Sequence, residues 1–175
     1  MGTKVNLGAG SNVIAFLKEQ HDEIKSMFGK VLTEDSERRE HAFAELCLLM
    51  SVHETAEEDI VHPVAAHSLG GGRAMVAARL REETEAKEAI AELETLDVGS
   101  TDFEAKFRKL EKAVLAHAES EEREEFEKLG KVLDAPELLR MRNDVVATEA
   151  SATPDARIKR TRAPARDAAL GPTRH

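Results

Sequence analysis

The chain has 175 residues and a formal net charge of −9, with 41% hydrophobic and 34% charged residues, one cysteine, and neither tyrosine nor tryptophan. That length builds one domain with a substantial core, or one domain and a tail, and the composition favours helices over strands. Excluded are an internal disulfide, a phenol ligand, a tyrosyl radical and a membrane-spanning run; the N-terminus shows no signal-peptide apolar region, which points to a cytoplasmic protein.

Residues 1–11 carry no periodic pattern and read as an N-terminal extension. Apolar periodicity then predicts a helix over 12–32, in which Val13, Leu17, Ile24, Phe28 and Val31 recur at three and four and His21 fills the missing turn, facing inward. After "TEDS", a second helix over 36–67 carries Phe43, Leu46, Met50, then His53 and Glu57, then Ile60 and Val64 on one stripe. His41 and Glu45 repeat the His-x-x-x-Glu spacing but lie about 120° from that stripe, so spacing alone decides nothing. His62 falls about 180° from His53; with His67 at the helix end and His175 in the tail it reads as solvent-facing. Cys47 reads as a small buried hydrophobe rather than a redox sensor.

"SLGGG" ends that helix and precedes a third over 72–97, where Glu83 is in phase with Val76 and Ile90, and Glu82 and Glu85 are its alternates. "DVGST" leads into a fourth over 102–129, with Thr101 and Glu104 reading as a capping box. Its stripe is Phe103, Phe107, Leu110, Val114, His117 and Glu121. A short fifth helix comes next, over 136–147. Residues 149–175, with six Lys/Arg against two Asp in 151–175, read as a disordered basic tail that solubilises the chain.

Short connections make neighbours antiparallel, so residues 12–148 are expected to form an all-α, up-down-up-down four-helix bundle with the fifth helix appended. Three inward histidines and two inward glutamates would then share its interior. An unpaired buried carboxylate costs several kcal/mol, and the three stripes that carry these residues offer no inward Lys or Arg at their level. A metal ion is the economical compensation. Reflection across the turns sets His21 beside His53 and brings Glu57 and His117 level with residues 81–85. Nitrogen and oxygen donors without thiolate suit iron, manganese or zinc, and five or six ligands suit a carboxylate-bridged pair of irons or manganeses better than one zinc.

The early His21, the "HETAEEDIVHP" segment with His53, Glu57, Glu58 and Pro63, and the late "HAESEEREEF" segment with His117 and Glu121 resemble the haemerythrin-like, or HHE cation-binding, family over about residues 12–130. The resemblance implies a four-helix bundle with two non-haem irons that meets dioxygen, nitric oxide or peroxide. It implies that Glu57 and Glu121 bridge the irons, that His21 and His53 cap one and His117 the other, and that Pro63 kinks the second helix just beyond the ligands. The departure lies on the third helix, where oxygen-carrying members supply histidines and this chain reads "EETEAKEAI", with Thr84 about where many relatives carry one. A carboxylate from Glu83 or a neighbour, or water, would fill that position. This turns the expectation from oxygen carriage towards catalase-like peroxide decomposition, with Glu58 or Glu122 moving protons, or towards iron handling. The alternative is a metal-dependent oxidant or iron sensor without turnover; the plain one is a helical scaffold with hydrogen-bonded histidines. The acidic body repels nucleic acid, and neither a membrane nor a fixed oligomer is implied.

Overall fold

The structure is a computed structural model that describes residues 11–152. Nearly all of the N-terminal extension, and the basic tail from residue 153 with His175, lie outside the described residues. Those described form α1 (Val13–Thr33), α2 (Ser36–Ala56), α3 (His62–Ser68), α4 (Gly72–Leu93), α5 (Thr101–Glu121), α6 (Glu127–Val132) and α7 (Ala135–Ser151), with no strand among them. Two five-residue π-helical turns, Glu57–Val61 and Glu122–Phe126, join α2 to α3 and α5 to α6. Four long segments therefore make the bundle, as the sequence pattern predicts: α1, α2 with α3, α4, and α5 with α6. α7 packs across α1 and α2.

Helix starts arise from local side chains that accept otherwise unpaired backbone N–H groups. Asn12 accepts from Ala15 N at 3.0 Å and Asp35 from Arg38 N at 3.2 Å. At the fourth segment the expected capping box does not form: Ser100, one residue before Thr101, is the extended residue and accepts from Phe103 N at 3.1 Å. Glu104 is thereby left to pair with Arg108 at 2.8 Å. The reciprocal box occurs instead at Asp134 and Glu137, where it starts α7. α7 runs four residues past the expected end at 147, and α4 stops four residues short of 97.

The turn between α3 and α4 depends on two glycines. Gly71 sits at φ 74°, in the left-handed region that glycine adopts without strain. A Cβ on Gly72 would lie 2.2 Å from the Ala65 carbonyl oxygen, so only glycine allows α4 to start this close to α3.

The apolar core is split in two. One cluster gathers Ile24, Phe28, Phe43, Leu46, Ile90, Leu93, Phe103, Phe107 and Leu110. The other gathers Phe16, Leu17, Val61, Ala65, Leu69, Phe126, Leu129, Met141 and Val145 and includes the inner face of α7. The buried polar residues lie along the helices between these two groups, within the stretches numbered 20–21, 51–62, 79–83 and 121–125. No helix among the described residues is long and apolar enough to cross a membrane.

Candidate metal centre

Four imidazoles converge between the two apolar clusters. His21 on α1 and His53 on α2 meet edge to face with ring centroids 4.9 Å apart, and His21 stacks on Phe126. His62 opens α3, and His117 lies on α5. Each ring is held at Nδ1 by a side-chain oxygen: His21 by Glu122 at 3.0 Å, His53 by Gln20 at 2.8 Å, His62 by Glu125 at 3.0 Å and His117 by Glu82 at 2.8 Å. Carboxylate and amide oxygens accept only, so Nδ1–H donates and Nε2 is the inward atom. Gln20 is itself oriented, since its amide N–H donates to Glu149 at 2.8 Å and turns the carbonyl towards His53.

The Nε2 atoms face carboxylates rather than one another. His53 Nε2 lies 3.3 Å from Glu57, His21 Nε2 3.4 Å and His117 Nε2 3.2 Å from Glu121, and His62 Nε2 2.8 Å from Glu83. Glu57 and Glu121 are wholly buried, yet none of their four oxygens has a hydrogen-bond partner. Glu83 Oε2, Glu125 Oε2, His21 Nε2 and His117 Nε2 are likewise buried and unpartnered. Each such atom costs about 1–3 kcal/mol, more when charged, against a whole-domain stability of about 5–15 kcal/mol. Many orphaned atoms aimed at one region mark a place built for a ligand.

The donors fall into two adjacent sets. His21, His53, Glu57 and Glu121 each offer one atom within 4.8 Å of the others, and so do Glu57, Glu83, His117 and Glu121. Glu57 and Glu121 belong to both, so the structure brings all six sequence-selected residues into one twinned site. Imidazole nitrogen and carboxylate oxygen are the donors that transition-metal cations take in helix bundles. The residues present fit a transition-metal cation in each donor set.

Without a cation the charges are balanced by protons. Burial and then the neighbouring Glu121 and Glu83 push Glu57 well above the usual carboxylate range. Burial acts the same way on Glu121, but the imidazoles of His117 and His21, 3.2 and 3.4 Å away, overcome it and hold that carboxyl below the usual range. Burial, then the facing His21, lowers His53 to about 3. Burial also opposes charge on His62 and His117, yet Glu125 and Glu83 raise the first to about 10 and Glu121 the second to about 9.

The solvent-facing assignment of His62 is overturned: the residue is 1% exposed. The cause is the π-helical turn, in which His62 N–H bonds the Glu57 carbonyl five residues back. One extra residue in the register is about 100° of rotation, which brings His62 from the outer face to the inner one. The same rotation replaces the expected Ile60 and Val64 with Val61 and Ala65 in the core. The helix thus passes Pro63 through a π turn, and Pro63 falls in the first turn of α3. The second turn does likewise for Phe126, and Glu125, four residues after Glu121 on the same stripe, is buried beside it; neither was selected from the sequence. A late return of the apolar pattern, at Val61 and Ala65 after Glu57 and at Phe126 and Leu129 after Glu121, was the available signal.

Other assignments resolve simply. His41 is exposed and pairs with Glu45 at 3.2 Å, and His67 is exposed. Of the third-helix glutamates, Glu83 faces the centre, Glu82 orients His117, and Glu85 is outside, near Arg81. Thr84 is exposed and bonds the Leu80 carbonyl. Arg79, one turn before Glu83, is a buried cation off the three stripes; it binds Glu82 at 2.8 Å and Glu124 at 2.9 Å and touches neither shared carboxylate. Glu58 pairs with Lys87, and Glu122 with Lys18 and His21. Cys47 is half-buried, and burial, then Glu94, pushes its thiol up to about 12.

A cleft of about 410 Å³ between α4 and α5 runs past Ala89, Ala86 and Leu110 to Glu83 and His117. A void of about 20 Å³, room for one water-sized molecule, lies against His21, His53, Met50 and His117.

The family model described as Hemerythrin HHE cation binding domain matches residues 12–129. Among solved structures, the chain is similar to a hemerythrin HHE cation-binding domain-containing protein from Mycobacterium kansasii, with 21% identity and a TM-score of 0.72 over 85% of this chain and 89% of that one. No curated protein matches the sequence.

Proposed function

The chain belongs to the hemerythrin HHE cation-binding domain family, and on that premise we propose that its centre holds two non-haem irons and binds or reacts with a small oxidant: dioxygen, nitric oxide or hydrogen peroxide. The observation that carries the reading is the pair of wholly buried carboxylates, Glu57 and Glu121, shared by two four-donor sets and left without hydrogen-bond partners. His21 and His53 would complete one position, Glu83 and His117 the other.

Bound iron would supply redox chemistry towards the oxidant. The protein's own part is to hold donor atoms, shape access and exclude larger molecules. Glu83 stands where an imidazole would make the second position more neutral, and an anionic oxygen donor favours the more oxidised state of a metal. That favours peroxide decomposition over reversible oxygen carriage. The cleft between α4 and α5 reaches the Glu83 and His117 side, and the void beside His21 and His53 admits only a molecule of about water size.

Metal content and peroxide assays on purified protein test the reading. About two irons per chain are expected, with loss of at least one in His53→Ala and in His117→Ala, and oxygen evolution from hydrogen peroxide that tracks iron content. A folded protein from iron-replete cells that carries no iron and takes up none would overturn the di-iron assignment. Full iron with no oxygen evolution would favour the sensor over the catalyst.

A further inference from the structure

We propose that His62 is a fourth imidazole ligand of the centre, binding the second cation through Nε2 and oriented by Glu125. The inference rests on the proposed dinuclear reading and adds a residue to it. Its ground is the likeness between His62 and the other three histidines. All four rings are anchored at Nδ1 by an oxygen of a neighbouring helix or helical turn, and all four turn Nε2 towards the buried carboxylates. A ring with that two-sided arrangement is a carboxylate- or amide-oriented ligand wherever a cation is present.

The distances agree. Two donors at about 2.1 Å from one cation are separated by no more than about 4.2 Å. His62 Nε2 is 2.8 Å from Glu83 Oε1 and 4.0 Å from Glu121 Oε1. Glu83 and Glu121 both belong to the second donor set. His62, Glu121 and Glu125 also form a compact donor group of their own, and Glu125 Oε2 is wholly buried with no partner. A cation between His62 Nε2 and Glu83 Oε1, which face each other at 2.8 Å, would bind both in their deprotonated forms.

Sequence and topology supply the reason. α4 carries no histidine, so the second position lacks the imidazole that its own helix could offer. The π-helical turn at Glu57–Val61 rotates His62 into that gap from the start of α3.

NMR on the full chain decides the matter, using histidine labelled at the ring nitrogens and NMR-active cadmium as the cation. Four histidine Nε2 resonances split by one-bond coupling to cadmium are expected, those of His21, His53, His62 and His117, while His41, His67 and His175 remain unsplit. Splitting confined to His21, His53 and His117 would overturn the role of His62 and leave the centre intact. No splitting at any histidine would overturn the centre itself. The wild-type spectrum suffices, so nothing depends on a variant that folds. Titration of His62→Gln with cadmium adds a second reading: the first cation binds unchanged, and the second at least about 10-fold more weakly.

Discussion

Gln20 occupies a place on α1 that periodicity alone marks as ordinary core, yet it sets the tautomer of His53. Its carbonyl oxygen accepts from Nδ1 at 2.8 Å while its N–H is committed to Glu149, so the amide cannot turn over without losing both bonds. Outer partners of this type contribute about 10–100-fold to metal affinity. Gln20→Leu should therefore keep the helical fold and weaken cation binding by about that factor, as read by competition against a coloured chelator; unchanged affinity would show that His53 needs no such anchor. Cys47 is the contrasting case of a reactive group held inert. With its thiol raised to about 12 by burial, the thiolate fraction at pH 8 is on the order of 10³-fold below that of an ordinary cysteine near 8.5. Alkylation by iodoacetamide should be slower than for a free thiol by at least that factor at pH 8, and should rise steeply with pH towards 12. A rate equal to that of the unfolded chain would refute the buried environment.

The two π-helical turns are what convert four regular helices into this centre. Each begins at or just after a shared carboxylate, Glu57 or Glu121, and each shifts the inward face by one residue. Removing one residue from such a turn restores α register and leaves the next helix facing as before, whereas removing one from a regular stretch rotates everything downstream by about 100°. Deleting Asp59, which is exposed, together with Pro63→Ala to remove the ring clash of an α-helical proline, should thus give a folded chain with Ala65 and Leu69 still inward. Deleting the exposed Leu48 should abolish cooperative melting by circular dichroism. Equal outcomes for the two deletions would mean that the π turn carries no register. The same turns explain what the sequence could and could not reveal. Helix spacing found Val13, Leu17, Ile24 and Phe28 on α1 and Phe103, Phe107, Leu110 and Val114 on α5, all of them buried. Reflection across short links found Glu83, because antiparallel neighbours keep residues level. A uniform 100° step could not find His62 or Phe126, whose inward direction exists only after the extra residue; Glu125 lies on the stripe of Glu121, four residues on, but in a run of charged residues where the apolar pattern gives no signal. Gln20, Glu82 and Arg79 were also out of reach, since their roles are hydrogen bonds to side chains on other helices.

Across the whole molecule, the centre is a layer of charge between two apolar clusters. Five glutamates, Glu54, Glu57, Glu83, Glu121 and Glu125, are buried; of these Glu54 pairs with Lys87 at 3.5 Å, while the one buried arginine among the described residues, Arg79, is committed to Glu82 and Glu124. The apolar clusters must therefore hold the helices together against carboxylates that the protein alone does not satisfy, and stability becomes linked to cation binding. A cation bound only by the folded state at about 1,000 times its Kd adds about 4 kcal/mol, which for a domain of this size is on the order of 10 °C in Tm. Calorimetry should show that rise when ferrous iron is added anaerobically to chelator-treated protein. The linkage also fixes the sign for a ligand variant. Glu57→Gln keeps the shape and replaces a buried carboxyl whose oxygens have no hydrogen-bond partner, so its metal-free form should melt no lower than metal-free wild type, while the rise on adding iron should shrink or vanish. If the metal-free variant melted well below metal-free wild type, the Glu57 carboxylate would be supporting the fold by itself, and the buried charge would need a protein partner rather than a cation.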